Sequence, residues 1–61
     1  MDSWLLAKQA EILSIVVEVE GMRAENMYLQ MRGETIAYRE EIFQEKSDSL
    51  SNIYHEIMEN R

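Results

Sequence analysis

The sequence predicts an all-α fold: an antiparallel helical hairpin that assembles into a homo-oligomeric helical bundle, two hairpins making a four-helix dimer. Three observations carry this. Ile15, Met22, Leu29, Ile36, Phe43, Leu50 and Ile57 recur every seven residues with no polar member, and that period lines side chains along one side of an α-helix. Proline is absent, glycine occurs twice, and Glu, Gln, Met, Leu and Ala are abundant, which is a composition of long helices. Gly33 interrupts the chain near its middle, and the charges on a parallel line change sign around it. One domain, residues 1–61, is expected, with helices over about 3–31 and 36–59 and a turn at 32–35.

The first helix is expected to be capped by Asp2 or Ser3, with Trp4, Leu5 and Leu6 in its first turn. Apolar residues follow at Ile12, Val16 and Val19, flanked by Leu13 and Ile15. This β-branched stretch suits a strand in isolation, but its flanks, 7–11 and 23–30, are strongly helical. Gly21 costs a helix interior about 1 kcal/mol relative to alanine and marks a possible kink or close contact. The seven-residue spacing continues across it, from Ile15 to Met22, so the helix is expected to continue. Gly33 suits the left-handed residue that closes a helix. Thr35 is then placed to cap the second helix, with Glu40 and Glu41 near its positive end. Ser47-Asp48-Ser49 is a soft spot where that helix is expected to fray or restart.

Folding the chain at Arg32 and Gly33 sets Leu29 against Ile36, Met22 against Phe43, Ile15 against Leu50, and Lys8 near Ile57. A charge line with the same spacing, Glu11, Glu18, Glu25, Arg32, Arg39 and Lys46, is acidic in its first half and basic in its second. In an antiparallel hairpin Glu25 faces Arg39 and Glu18 faces Lys46. Exposed pairs of this kind contribute only about 0.2–1 kcal/mol each, so their use is to set orientation. One unbroken helix pairing antiparallel with a second copy has the same symmetry; Gly33 and Thr35 favour the hairpin. A second apolar face, Ala24, Tyr28, Met31, Thr35, Tyr38 and Ile42, continues Ala10 and Val17 from upstream. A lone hairpin buries one stripe per helix, so this face calls for another surface, and a second hairpin supplies it.

Composition narrows the function. Sixty-one residues bury too little apolar surface for comfortable stability alone. No cysteine is present for disulfides or thiolate metal sites, and His55 is the single histidine, so oligomerisation is the expected staple. The apolar run 12–17 is too short to span a membrane, and the start Met1-Asp2-Ser3-Trp4 lacks a basic signal region. A soluble, cytoplasmic protein is expected. Twelve acids against six bases give a net charge of −6, the wrong sign for a phosphate backbone. A basic protein surface is the more natural electrostatic partner.

Catalytic chemistry finds little support. Glu45 with Asp48, and Glu56 with Glu59, place paired acids on one helical face, as magnesium-dependent helical hydrolases do, but a solvated acidic face has the same pattern. No Glu-x-x-His accompanies His55, because position 52 is Asn52, so a di-iron bundle is unsupported. No glycine-rich phosphate loop or nucleophile motif occurs. No catalytic, cofactor or metal site is assigned, and a non-enzyme is expected. Met22, Met27 and Met31 suit packing or an adaptable interface. The candidate partner or ligand face is Tyr28, Arg32, Tyr38 and Arg39, residue types that dominate interfaces and also stack on anions such as nucleotides.

The segments Gly21-Met22-x-Ala24-Glu25-Asn26 and Gly33-x-Thr35-x-Ala37-Tyr38-x-Glu40-x-x-Phe43 resemble small, uncharacterised helical bacteriophage proteins over roughly the middle third of the chain. The resemblance implies a context and no activity: very small phage proteins often bind and block a host protein, antiviral defence enzymes included, inside the bacterial cell. The reading is a non-enzymatic protein–protein interaction module that pairs with itself and with another protein. The alternative is a small oligomeric binder that sequesters an anionic nucleotide.

Overall fold

The computed structural model describes residues 3–60, and Asp2, one of the two expected caps of the first helix, lies outside them. Two helices, α1 (Ser3–Met31) and α2 (Glu40–Glu59), pack against each other. No strand is present among the described residues. The hairpin is a slab of 48 × 20 × 9 Å, close to one helix thick.

α1 runs unbroken through the β-branched stretch and through Gly21. Its side toward α2 alternates in steps of three and four: Leu5, Lys8, Ile12, Ile15, Val19, Met22, Asn26 and Leu29 are all buried or half-buried. α2 answers with Phe43, Lys46, Leu50, Ile53 and Ile57. Such spacing keeps one side of each helix against the other along the whole contact. All seven residues of the predicted apolar line are covered to this degree, but the deepest points of the seam are Met22, 5% exposed, and Ile53, 4%. Ile53 falls outside the period of seven. It sits three residues after Leu50 and four before Ile57, the other half of the same helical alternation.

Between the helices the structure departs from expectation. Gly33 adopts the left-handed conformation, with φ of 75°. Its N–H donates to the Gln30 carbonyl at 3.0 Å, and the Glu34 N–H donates to the Leu29 carbonyl at 2.8 Å. This pair of bonds is the Schellman closure, which satisfies carbonyls left open at the end of α1. The connection then runs through residues 32–39, and α2 begins at Glu40, four residues later than predicted. Thr35 caps nothing. The N-cap position belongs to Arg39, extended at φ −95° and ψ 174° and with no side-chain capping bond.

The reason lies across the hairpin, in Asn26. Its Oδ1 accepts from the N–H groups of Ala37 at 3.1 Å and Tyr38 at 3.0 Å, and its Nδ2 donates to the Tyr38 carbonyl at 2.8 Å. These three bonds pin residues 37 and 38 against α1 as a short non-helical segment, and helix resumes only beyond it. From Glu40 onward α2 is continuous through Ser47-Asp48-Ser49, where fraying was expected. Within that stretch Gln44 Nε2 donates to Asp48 Oδ1 at 3.0 Å, and Ser49 Oγ donates to the Glu45 carbonyl at 3.1 Å. Glu40 and Glu41 occupy the first turn of α2, where the helix dipole favours negative charge.

Among the described residues, two ion pairs bridge the helices. Lys46 Nζ lies 2.9 Å from Glu18, as the charge line predicts, and Lys8 Nζ lies 2.7 Å from Glu56, one residue from the predicted neighbour Ile57. Glu25 and Arg39 form no ion pair among those of the described residues. Lys8 with Glu56, Glu18 with Lys46, and Asn26 with Tyr38 are each symmetric about Arg32. Three polar contacts spread along the hairpin therefore specify one antiparallel register.

Candidate protein-interaction surface

The side of α1 turned away from α2 is not polar. Leu6, Leu13, Val17, Met27 and Met31 stand exposed on it, with Leu13 at 64%, Val17 at 68% and Met31 at 85%. Ala10 and Ala24, both exposed, fill the intervening positions. From Leu6 to Met31 the steps alternate four and three, and Glu20 is the one polar residue in the series. At 3.6 residues per turn this stripe lies about 150° around α1 from the seam. A helix with two apolar stripes on opposite sides has room for two neighbours.

α2 is built differently. Its outward side carries Glu41, Glu45, Asp48, Asn52, His55 and Glu59, all exposed. Its exposed apolar residues, Ile42, Tyr54 and Met58, sit at the margins of the seam. The hairpin thus presents an apolar face on one edge and an acidic face on the other.

The second apolar face read from sequence is present in part. Ala24, Tyr28 and Met31 are exposed on α1, but Thr35 and Tyr38 lie in the connection, so the stripe does not pass into α2 as one helical face. Leu6, Leu13 and Met27 belong to the exposed stripe and went unassigned to it. The same alternation of three and four that marks the seam identifies them.

Of the candidate face Tyr28, Arg32, Tyr38 and Arg39, the structure joins the first two. Arg32 Nη1 donates to Tyr28 Oη at 2.8 Å, its guanidinium carbon lies 5.4 Å from the ring centroid, and its Nε lies 3.7 Å from Glu34. Arg32 is therefore engaged by an aromatic face and a carboxylate at the end of α1. Tyr38 is half-buried, its backbone held by Asn26, and Arg39 is exposed at the start of α2.

Among the described residues no group of three His, Asp or Glu is placed to hold a metal ion. Glu45 and Asp48 border an open groove with Glu40, Glu41 and Gln44. His55 is exposed, its ring edge-on to Tyr54 at 5.5 Å. A second groove of about 340 Å³ crosses the helices and is bordered by Glu11, Ile15, Ile53 and Glu56. Lys8 answers the two acids, lying 3.4 Å from Glu11 and 2.7 Å from Glu56. The hydrogen bond to Glu56 raises the Lys8 pKa above its ordinary value, with the charge of Glu11 adding to it and partial desolvation opposing it. No helix among the described residues is long and apolar enough to cross a membrane. Comparison with protein-family models, with curated proteins and with solved structures found no match for this chain.

Proposed function

We propose that the chain is a non-enzymatic protein-binding module that self-associates through the outer face of α1 and meets another protein through the acidic face of α2. The observation that carries this reading is the exposed stripe Leu6, Leu13, Val17, Met27 and Met31. An apolar row running most of a helix is costly to leave in water and marks an interaction surface. The two-helix seam, with Met22 and Ile53 as its deepest members, is a small core, and burial of the outer stripe adds to its stability.

The acidic side of α2 suits a partner whose surface is basic, such as a protein site that normally holds nucleic acid. In the setting suggested by the resemblance to small phage proteins, that partner is a host protein and binding blocks it. Sedimentation across a concentration series tests the self-association. The wild type is expected as an oligomer and the Leu13→Lys/Val17→Lys variant as a monomer of equal helicity. A wild type that stays monomeric at every concentration overturns the reading.

A further inference from the structure

We infer that the occupant of the outer face of α1 is a second copy of this chain, running antiparallel, with the two α1 helices in the middle of the assembly and the two α2 helices outside. This rests on the self-association reading above and names its geometry.

Area is the first argument. The chain exposes 4970 Å², about 850 Å² more than the roughly 4100 Å² expected of a compact monomer of 7.2 kDa. The excess matches the roughly 800 Å² that each partner contributes to a stable interface of standard size.

Self-complementarity is the second. A two-fold interface must fit its own reverse. Reversed about its midpoint, the exposed stripe sets Leu6 against the second copy's Met31, Ala10 against Met27, Leu13 against Ala24, and Val17 against Glu20. Each alanine then meets a large side chain, the alternation that lets facing helices interdigitate. A parallel pair instead sets alanine on alanine, Leu13 on Leu13, and Glu20 on Glu20. Glu20, the one charge in the stripe, has a partner within its own helix, Arg23 Nη1 at 3.9 Å.

Charge is the third argument. Pairing through α2 brings Glu41, Glu45 and Asp48 of two copies together, in a chain whose net charge is already −6. Pairing through α1 keeps those faces apart and in water. Because the outer stripe lies on the far side of α1 from α2, the second copy competes with nothing in the hairpin.

The chain has no cysteine, so introduced thiols report cleanly. Leu13→Cys and Ala24→Cys are both at exposed positions, and each variant is prepared alone and mixed with the other under mild oxidation. The expected result is a disulfide-linked dimer in the mixture and almost none in either variant alone, since disulfide geometry tolerates only a short separation between the two backbones. Cross-linking of Leu13→Cys with itself shows a parallel pair and overturns the inference. An oligomer in sedimentation without the mixed cross-link overturns the inference while sparing self-association; a monomer overturns both. Glu20→Leu supplies an independent readout, because it makes the stripe apolar throughout. The dimer dissociation constant is expected to fall about tenfold or more, and an unchanged or weaker constant removes Glu20 from the interface.

Discussion

The two helices solve different problems. α2 is apolar on one side only: Phe43, Leu50, Ile53 and Ile57 enter the seam, and the opposite side is acidic. The main apolar side of α2 is accounted for inside the hairpin. α1 carries the matching seam and also the outer stripe from Leu6 to Met31, which nothing in the hairpin covers. The contrast teaches that a helix with one apolar stripe is explained by one neighbour, whereas a helix with two opposed stripes points beyond its own chain.

Placing the same charge on both stripes is the sharpest way to break this comparison. Ile53→Asp buries an unpaired carboxylate in the seam, and even Ile53→Ala is expected to cost about 2–5 kcal/mol. Helical circular dichroism should be lost in Ile53→Asp and retained in Leu13→Asp. Equal helicity in the two variants ends the distinction between seam and outer face.

Asn26 is the uncharged polar residue of the α1 seam, and its loss is the next largest effect. Asn26→Ala leaves the Ala37 and Tyr38 amides without their acceptor and is expected to cost about 1–3 kcal/mol in chemical denaturation. Amide exchange at residues 37 and 38 should accelerate more than exchange in mid-α1. Protection unchanged at those two amides removes Asn26 as the anchor of the connection.

The two glycines should respond with opposite signs. Gly33 sits at φ 75°, so Gly33→Ala forces an L side chain into the left-handed region, at about 1–2 kcal/mol. Gly21 lies within α1, and an added Cβ meets nothing within 4 Å. Gly21→Ala should stabilise the helix by up to about 1 kcal/mol. Thermal melts of the two variants should move apart from the wild type in opposite directions.

Charge pairs across the seam give the smallest effects. Lys46→Gln removes the bond to Glu18 and is expected to cost about 0.2–1 kcal/mol. Lys8 has a raised pKa in the folded chain, so the folded state holds its proton more tightly than the unfolded state. Its contribution is therefore fully present below the ordinary lysine value of about 10.4 and is lost as pH rises through the folded value. Melting temperatures of wild type and Lys8→Gln should differ at neutral pH and converge at strongly alkaline pH. A difference that persists there contradicts the Lys8–Glu56 linkage.

Much of this fold is readable residue by residue. The seven-residue line identifies the helices and one half of each seam, Gly33 announces the end of α1, and the sign change along the charge line anticipates Glu18 with Lys46. The length of the connection is not readable in the same way. Ile36, Ala37, Tyr38 and Arg39 are compatible with helix locally, and their non-helical path depends on a side chain eleven and twelve residues upstream. Ile53 and the outer residues Leu6, Leu13 and Met27 were legible in principle. They follow an alternation of three and four that a strict period of seven samples only by half.

Sequence alone determined what is local: two helices, their apolar periodicity, and a left-handed glycine between them, because backbone preference and helical spacing act over a few residues. Tertiary structure decided what is not: the eight-residue path between the helices, held by Asn26 against the connection. It also set how deeply each stripe of α1 is covered. Both stripes share one spacing, and only packing against a second helix buries Met22 and leaves Leu13 and Val17 in water.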